Sequence, residues 1–97
     1  MTPGTSRAGG VVLTLLSKAE CRLCHEMREV VEPLLAEYGA SLVVRDIAAD
    51  PETHARYRFE IPVLLLEGRE IARHRVTEGE LREGLARLGV ARVSPGA

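Results

Sequence analysis

The stretch SKAECRLCHEM, residues 17–27, contains both cysteines of this 97-residue chain, Cys21 and Cys24. Before it, VVLTLL at residues 11–16 has the length and the β-branched content of a buried strand. From Cys21 onward, apolar residues recur at three- and four-residue steps, which is typical of one face of a helix. The pattern therefore predicts a strand-to-helix turn at the pair, with Cys21 at the turn and Cys24 in the first helical turn.

This first helix is predicted to continue to Tyr38, after which Gly39 supplies a C-terminal stop. Pro33 lies within it, and proline removes a backbone donor and clashes with the preceding turn. We therefore expect a kink at Pro33. The apolar stripe of the helix consists of Leu23, Met27, Val30, Val31, Leu34, Leu35 and Tyr38.

The rest of the chain supplies five more elements. SLVVRDIA at residues 41–48 has strand character, and DPE at residues 50–52 is typical of a helix start. IPVLLLEGREIARHRV, residues 61–76, predicts a hairpin that turns near residues 67–69. TEGE, residues 77–80, has capping-box spacing before a final helix. The order βαβαββα predicts an α/β fold whose first two strands are parallel.

The chain is long enough for one domain, which we place at residues 11–90, with a flexible lead at 1–10 and a flexible tail at 91–97. Thirteen basic residues balance fourteen acidic ones, so net charge gives no reason to expect binding to nucleic acid or to a membrane. No apolar run is long enough for a membrane span or a signal peptide. We expect a cytoplasmic monomer, where paired cysteines are typically catalytic or metal-binding.

The spacing of the pair suits reversible disulfide chemistry. Residues three apart on a helix share a face, which brings their Cα atoms within disulfide reach, about 4.4–6.8 Å. The helix N-terminus carries about half a positive charge, which favours a thiolate, the nucleophile of disulfide exchange. Lys18 and Arg22 favour the thiolate of Cys21 as well, whereas Glu20 opposes it. We assign Cys21 as the attacking thiol and Cys24, which begins the inward stripe, as the resolving thiol.

Two other roles for the pair are considered. A disulfide that closes so short a loop constrains the unfolded chain little, so it would be a poor structural staple. Zinc normally takes four ligands, and besides the pair the chain offers only His25 nearby, which points elsewhere on the helix. We therefore predict no metal site within one chain. The alternative that stays open is a metal or iron–sulfur carrier that uses the pairs of two chains across a dimer interface.

A second feature is EIPV, residues 60–63, where Pro62 stands at the entry of an apolar strand. Proline lacks a donor for the strand ladder and is tolerated at the start of a strand or on an edge. From these residues alone, the expectation is a trans proline that opens a strand.

The element order, the CxxC that opens a helix and the X-Pro that opens a hairpin together resemble the thioredoxin fold. LTLLSKAECRLCHEM, VVRDIAADPE and YRFEIPVLLLEGREIARHRV resemble the glutaredoxin-like family of that superfamily, and the resemblance covers residues 11–88. It implies a mixed four-stranded sheet with flanking helices. It also implies a thiol–disulfide oxidoreductase in which Cys21 attacks and Cys24 resolves, with no resident cofactor.

The resemblance implies further site residues. The Ile61–Pro62 bond would be cis and packed against the cysteine pair, with the Ile61 backbone holding the substrate chain, and Lys18 would lie near Cys21. Arg22 and Leu23, inside the CRLC loop, are also assigned to substrate binding. The substrate would be a protein or low-molecular-weight disulfide, and an external thiol would reduce the enzyme.

The chain departs from glutathione-binding glutaredoxins at three motifs. These proteins typically carry CPYC, TVP and a GG-x-D/E motif, where this chain has CRLC, EIP and RVTEGE. Thr77 and Glu78 are the residues that could replace the last motif, as a helix N-terminus that receives a carboxylate. Glutathione is therefore retained only as a candidate co-substrate.

Overall fold

The computed structural model describes residues 10–93; residues 1–9 and 94–97, which belong to the predicted lead and tail, lie outside the described residues. The elements follow the predicted order βαβαββα: β1 (Val11–Ser17), α1 (Arg22–Val31), β2 (Ala40–Asp46), α2 (Pro51–Tyr57), β3 (Val63–Leu66), β4 (Arg69–Arg73) and α3 (Glu78–Arg87). Within this part of the chain, no helix is long and apolar enough to cross a bilayer.

The four strands form one mixed sheet in the order β2-β1-β3-β4. β1 and β2 are parallel, and α1 supplies the crossover that a parallel pair requires. β3 runs antiparallel to β1, and β4 runs antiparallel to β3. Glu67 and Gly68 form the two-residue turn of this hairpin with φ angles of 50° and 84°, both in the region that a type I′ turn needs. The predicted mixed four-stranded sheet with flanking helices is confirmed.

The larger core cluster packs one face of the sheet against α1 and α3. Leu13 and Leu15 of β1 and Leu64 and Leu66 of β3 alternate toward it, as the period of two in a strand requires. Burial of each such side chain contributes about 1.5–3 kcal/mol relative to exposure. The remaining buried members are Met27, Val31, Leu34, Tyr38, Val76, Leu81 and Leu85.

A smaller cluster contains one of the two cysteines. Its buried members are Leu16, Cys24, Ile47, Ile61 and Val63, and Cys21, Tyr57 and Leu65 pack against them. Cys24, in the first turn of α1, and Ile61, the residue before Pro62, therefore belong to the same buried cluster.

The segment around Pro33 differs from the prediction of one kinked helix. The α-helix ends at Val31, and two 3-10 turns follow, Glu32–Leu34 and Ala36–Tyr38. The physical reason is that Pro33 has no N–H to donate to the preceding turn, so the chain tightens to shorter-range bonds, such as Leu35 N–H to the Glu32 carbonyl at 3.2 Å. Gly39 ends the segment with φ of 60°, as predicted for a left-handed cap.

β2 also ends earlier than the pattern SLVVRDIA indicated. The strand stops at Asp46, whose side chain accepts a hydrogen bond from the Ala48 N–H at 2.9 Å and caps a 3-10 turn at Ile47–Ala49. Because an aspartate side chain competes for nearby backbone donors, it ends the strand in favour of the turn. The turn directs Ile47, which is 1% exposed, into the smaller cluster.

The last described residues are attached to the end of the first helical segment. The Glu37 carboxylate pairs with Arg82 at 2.6 Å and with Arg92 at 2.5 Å, and the Glu37 carbonyl accepts from the Val93 N–H at 2.9 Å. The hydrogen bond from Arg82 holds the pKa of Glu37 below its ordinary value of 4.5. Bonds of the folded domain therefore reach Arg92 and Val93, within the first three residues of the segment expected to be a flexible tail.

Candidate active site

The cysteine pair caps the first helix. Cys21 is the N-cap of α1 in an extended conformation, and its Sγ accepts a hydrogen bond from the Cys24 N–H at 3.2 Å. A side-chain acceptor at this position satisfies one of the free donors of the helix N-terminus. The two residues are joined by a disulfide, with their Cα atoms 5.2 Å apart. Cys21 is half-buried, whereas Cys24 is 3% exposed, so the first sulfur is the accessible one.

The charges on α1 are arranged to favour an anion at the cysteines. The first turn contains no acidic residue. Three i,i+4 pairs follow one another, and in each the base precedes the carboxylate: Arg22–Glu26, His25–Glu29 and Arg28–Glu32. For the two arginine pairs this order is the less favourable one for the helix dipole, and it gives up a few tenths of a kcal/mol per pair. As a result, the basic residue of each pair lies one turn closer to the disulfide than its acidic partner does.

A concave surface of about 520 Å³ adjoins the disulfide. Both cysteines line it, together with Lys18, Arg22 and Arg28, and Glu20 is the acidic residue of the lining. Lys18 and Arg22 are exposed. The structure thus brings together four residues that the sequence assigned to the site, the two cysteines with Lys18 and Arg22, in a setting with excess positive charge. Positive charge of this kind stabilises the thiolate form of an accessible cysteine over its thiol form.

The Ile61–Pro62 peptide bond is cis. Both residues are buried, and Ile61 shares the smaller cluster with Cys24. The cis bond and the packing against the cysteine pair are therefore as the resemblance implied, and the trans expectation from the residues alone was wrong because tertiary packing decides the isomer.

The Ile61 backbone is only partly available to a substrate. Its N–H donates to the Tyr57 carbonyl at 3.1 Å, and the next carbonyl, that of Pro62, accepts from the His74 N–H at 2.7 Å. Among residues 10–93 no donor to the Ile61 carbonyl is found. The Ile61 carbonyl is therefore the group that could accept a hydrogen bond from an added strand, because the Ile61 N–H is already paired with Tyr57.

Leu23 and Thr77 meet in a different groove. A concavity of about 230 Å³ lies between α1 and the start of α3, lined by Leu23, Val30, His74, Arg75, Val76 and Thr77 among others. Four of the predicted substrate-binding residues thus line two separate concavities, Lys18 and Arg22 at the disulfide and Leu23 and Thr77 here. Glu78 lines neither of them; its carboxylate pairs with Arg82 at 3.0 Å along α3.

The start of α3 is occupied by its own cap. The Thr77 hydroxyl accepts from the Glu80 N–H at 3.1 Å, and the Thr77 N–H donates to Glu80 Oε1 at 3.0 Å. The predicted capping box is therefore present. Because a carboxylate of the same chain already takes the Thr77 amide, that amide is closed to the carboxylate of a substrate.

The loop before Pro62 is held by contacts that the sequence did not indicate. His74 Nε2 lies 3.2 Å from the Phe59 carbonyl, and Arg73 pairs with both Glu60 and Glu70. The hydrogen bond from Arg73 holds the pKa of Glu70 below its ordinary range. These partners lie up to fifteen positions apart along the chain, and no local pattern indicated them.

Comparison with protein families identifies the chain. The model of the glutaredoxin-like domain (DUF836) matches residues 12–86. The chain belongs to this glutaredoxin-like family. The matched region contains both cysteines, the Ile61–Pro62 bond and all four strands but the first residue of β1.

Curated relatives of this glutaredoxin-like chain include two mycobacterial proteins. The uncharacterized protein Rv0508 of Mycobacterium tuberculosis is 32% identical over 78 residues, which cover 75% of this chain and 80% of the relative. The uncharacterized protein Mb0520 of Mycobacterium bovis matches with the same identity and coverage. Their names assign no activity.

Solved structures agree with the fold. A structure described as that of a malarial protein superposes with a TM-score of 0.62 at 18% identity, covering 82% of this chain and 98% of the other. A mutant thioredoxin from Halobacterium salinarum superposes with a TM-score of 0.54 at 21% identity, covering 94% of this chain and 82% of the thioredoxin. At these identities the likeness shows a thioredoxin fold alone.

The sequence did not predict a metal site within one chain of this glutaredoxin-like protein. Among residues 10–93, no group of three or more His, Cys, Asp or Glu side chains is arranged to hold a metal ion. Zinc would need further ligands from outside one chain to complete a closed tetrahedral site on the cysteine pair.

Proposed function

We propose that this glutaredoxin-like protein is a thiol–disulfide oxidoreductase. The observation that carries the proposal is the geometry of the disulfide: an accessible Cys21 at the N-cap of α1 and a buried Cys24, one turn apart, beside the cis Ile61–Pro62 bond. The family and the fold support a redox role for a CxxC pair in this position.

The reaction begins from the reduced pair. The Cys21 thiolate attacks one sulfur of a substrate disulfide, a Cys21–substrate disulfide forms, and the other substrate sulfur leaves as a thiolate that takes a proton from water. Cys24 then loses its proton and attacks the Cys21 sulfur. The Cys21–Cys24 disulfide forms, and the second substrate thiolate is released. Two electrons have moved from the protein to the substrate.

The disulfide in the structure is the end state of that sequence. An external thiol returns two electrons by the reverse exchange: it attacks the Cys21 sulfur and releases Cys24 as a thiolate. A second thiol then attacks the sulfur of the first, which frees the Cys21 thiolate and leaves the two external thiols joined in a disulfide. We propose Lys18 and Arg22 as the residues that stabilise the Cys21 thiolate, and the Ile61 carbonyl as the group that accepts a hydrogen bond from a substrate backbone. Glutathione is one thiol to be tested as reductant, and no resident cofactor is required.

The experiment compares wild type with Cys21→Ser and Cys24→Ser, using bis(2-hydroxyethyl) disulfide as substrate and either glutathione or dithiothreitol as reductant. The double serine variant is the matched blank, because the chain has two cysteines in all. Cys21→Ser should reduce turnover to the blank. Pre-reduced Cys24→Ser, treated with the disulfide and no added reductant, should accumulate a mixed disulfide on Cys21, visible as a mass increase that dithiothreitol then removes. Turnover by Cys21→Ser would overturn the assignment of the nucleophile, and the absence of an adduct on Cys24→Ser would overturn the resolving role.

The same purified proteins also test the alternative, a metal or iron–sulfur carrier that uses the cysteine pairs of two chains across a dimer interface. We propose that the protein works as a monomer in the cytoplasm. A dimer on size exclusion with one metal ion or cluster bound per two chains, lost in Cys21→Ser, would support the carrier instead.

A further inference from the structure

Phe59 is the one phenylalanine of the chain, and 76% of it is exposed. Among residues 10–93 the other exposed large apolar residues are valines, at positions 12, 43, 44 and 93, and each is less exposed than Phe59. A domain of this size has few large side chains with which to build its core. An aromatic side chain left outside that core is therefore a candidate for contact with another molecule.

The loop that carries Phe59 is fixed at several points. The Glu60 N–H donates to the Tyr57 carbonyl at 2.7 Å, and the Glu60 carboxylate pairs with Arg73 of β4. His74, with a φ of 68°, contacts the loop twice: its N–H donates to the Pro62 carbonyl, and its Nε2, when it carries the proton, donates to the Phe59 carbonyl. The backbone around Phe59 is thus held in place before any partner binds.

The ring itself is also positioned. The Arg58 guanidinium lies over it, 4.6 Å from the ring centroid. At an exposed site this cation–π contact restricts the ring while it leaves the opposite face and the edge open. A side chain that is already ordered loses little entropy on binding, which is what makes a rigid aromatic residue an effective anchor.

The loop lies beside the disulfide. Tyr57 and Ile61, two positions before and after Phe59, both pack in the cluster that contains Cys24, and Cys21 packs against the same cluster. Phe59 is therefore at the exposed tip of a short turn whose two ends pack in the same cluster as the redox pair. A polypeptide bound at the Ile61 carbonyl would pass this tip with the residues next to its own cysteine.

We propose that Phe59 is a specificity residue that docks an apolar side chain next to the reactive cysteine of a polypeptide disulfide. This inference rests on the proposed thiol–disulfide exchange and names its substrate class: peptide or protein disulfides with an aliphatic neighbour, in preference to those with polar neighbours. Phe59 takes no part in the electron transfer. Arg58 orders the ring, and His74 with Arg73 positions the loop.

The test uses disulfide-linked homodimers of short peptides that carry leucine at one of the four positions flanking the cysteine, and matched dimers with serine in its place. Wild type should show a higher kcat/KM for at least one leucine dimer than for its serine partner, by about fivefold or more, the effect typical of an interface anchor. Phe59→Ala should remove that preference. Val43→Ala, an exposed apolar residue on the edge strand β2, is the control and should keep it.

Two results would overturn the inference. One is a preference for leucine that survives Phe59→Ala. The other is an equal fall of both rates in Phe59→Ala, which would indicate that Phe59 supports the site structurally and does not select substrates. The reduction potential and the urea midpoint of Phe59→Ala should match wild type, since an exposed ring supports neither quantity.

Binding separates this inference from the proposed function. The same peptides with S-methylcysteine cannot exchange, and their affinity is measured by NMR titration of the oxidised protein. A leucine preference in binding that Phe59→Ala abolishes supports the docking role even when no peptide is reduced, an outcome that would overturn the exchange reaction alone. Equal affinity of leucine and serine peptides for wild type would overturn the docking role.

Discussion

Two glycines of α3 allow a matched test of how this helix packs on the sheet. An added Cβ at Gly84 would lie 2.8 Å from Cγ2 of Ile71 on β4, whereas one at Gly79 would have no neighbour within 4 Å. Substitution by alanine therefore adds a methyl group to a crowded site at Gly84 and to an open site at Gly79.

The expected magnitudes follow from these distances. Alanine in place of glycine favours a helix by up to about 1 kcal/mol, and by less in the first turn, so Gly79→Ala should stabilise by about 0.5 kcal/mol. At Gly84 the new methyl lies well inside the ordinary contact distance of about 3.5–4.0 Å. Ile71 cannot yield easily because a β-branched side chain is stiff at χ1. Overpacking costs about 1–3 kcal/mol, so Gly84→Ala should be less stable than wild type by about 1 kcal/mol.

The assay is urea unfolding followed by circular dichroism, with the free energy of unfolding of the two variants compared at equal m-values. We expect Gly84→Ala to be less stable than Gly79→Ala by at least about 1 kcal/mol. Gly84→Ala should cost less in an Ile71→Ala background than in wild type, because Ile71→Ala removes the methyl that clashes. If Gly84→Ala proves as stable as Gly79→Ala, the close packing of α3 on β4 described above is wrong.

Three further predictions concern caps, charge and core. Thr77→Ala should cost about 1 kcal/mol because the Glu80 N–H loses its acceptor, and Thr77→Ser should restore it, as urea midpoints will reveal. Since Arg82 lowers the pKa of Glu37, that carboxyl contributes stability above about pH 4.5 that is lost as pH falls through its folded pKa. Glu37→Gln should therefore differ from wild type most at pH 7 and least near pH 3; a constant difference would refute the pairing. Leu64→Ala, at a site 0% exposed, should cost about 2–5 kcal/mol, and a loss under about 1 kcal/mol would contradict its place in the core.

Local rules accounted for the features that depend on neighbouring residues. Cys21 at the N-cap, Gly39 at the left-handed stop, the Glu67–Gly68 turn and the Thr77 capping box all follow from chemistry within four residues. The element order and the sheet could be predicted for the same reason, because each apolar run has the period of the structure it forms.

The capping box also affects the predicted role of Thr77 in substrate binding. A glutamate at the third helical position is itself the carboxylate that takes the N-cap amide. The sequence therefore already implied that Glu80 would occupy the Thr77 N–H, which weakens Thr77 as a receptor for a substrate carboxylate. Binding at this helix start would have to use other groups.

Features set by distant residues could not be predicted. The Phe59 carbonyl is contacted by His74 from fifteen positions away, and the Pro62 carbonyl accepts from the N–H of the same His74. Glu20 and His74 adopt positive φ angles of 57° and 68° without being glycine, and no sequence pattern marks such positions. The exposure of Phe59 is a property of the folded loop, so the sequence alone did not indicate it.

The central claim is that Cys21 and Cys24 form a working redox couple, and equilibration in thiol redox buffers tests it most directly. The metal-free protein is equilibrated across a wide range of poise, alkylated, and its free thiols are counted by mass. The account predicts a single two-electron transition near about −180 to −270 mV, the range of known exchange proteins. A pair that stays reduced across the whole range, or that never closes within one chain, would contradict the account and favour a metal-binding role for the two cysteines.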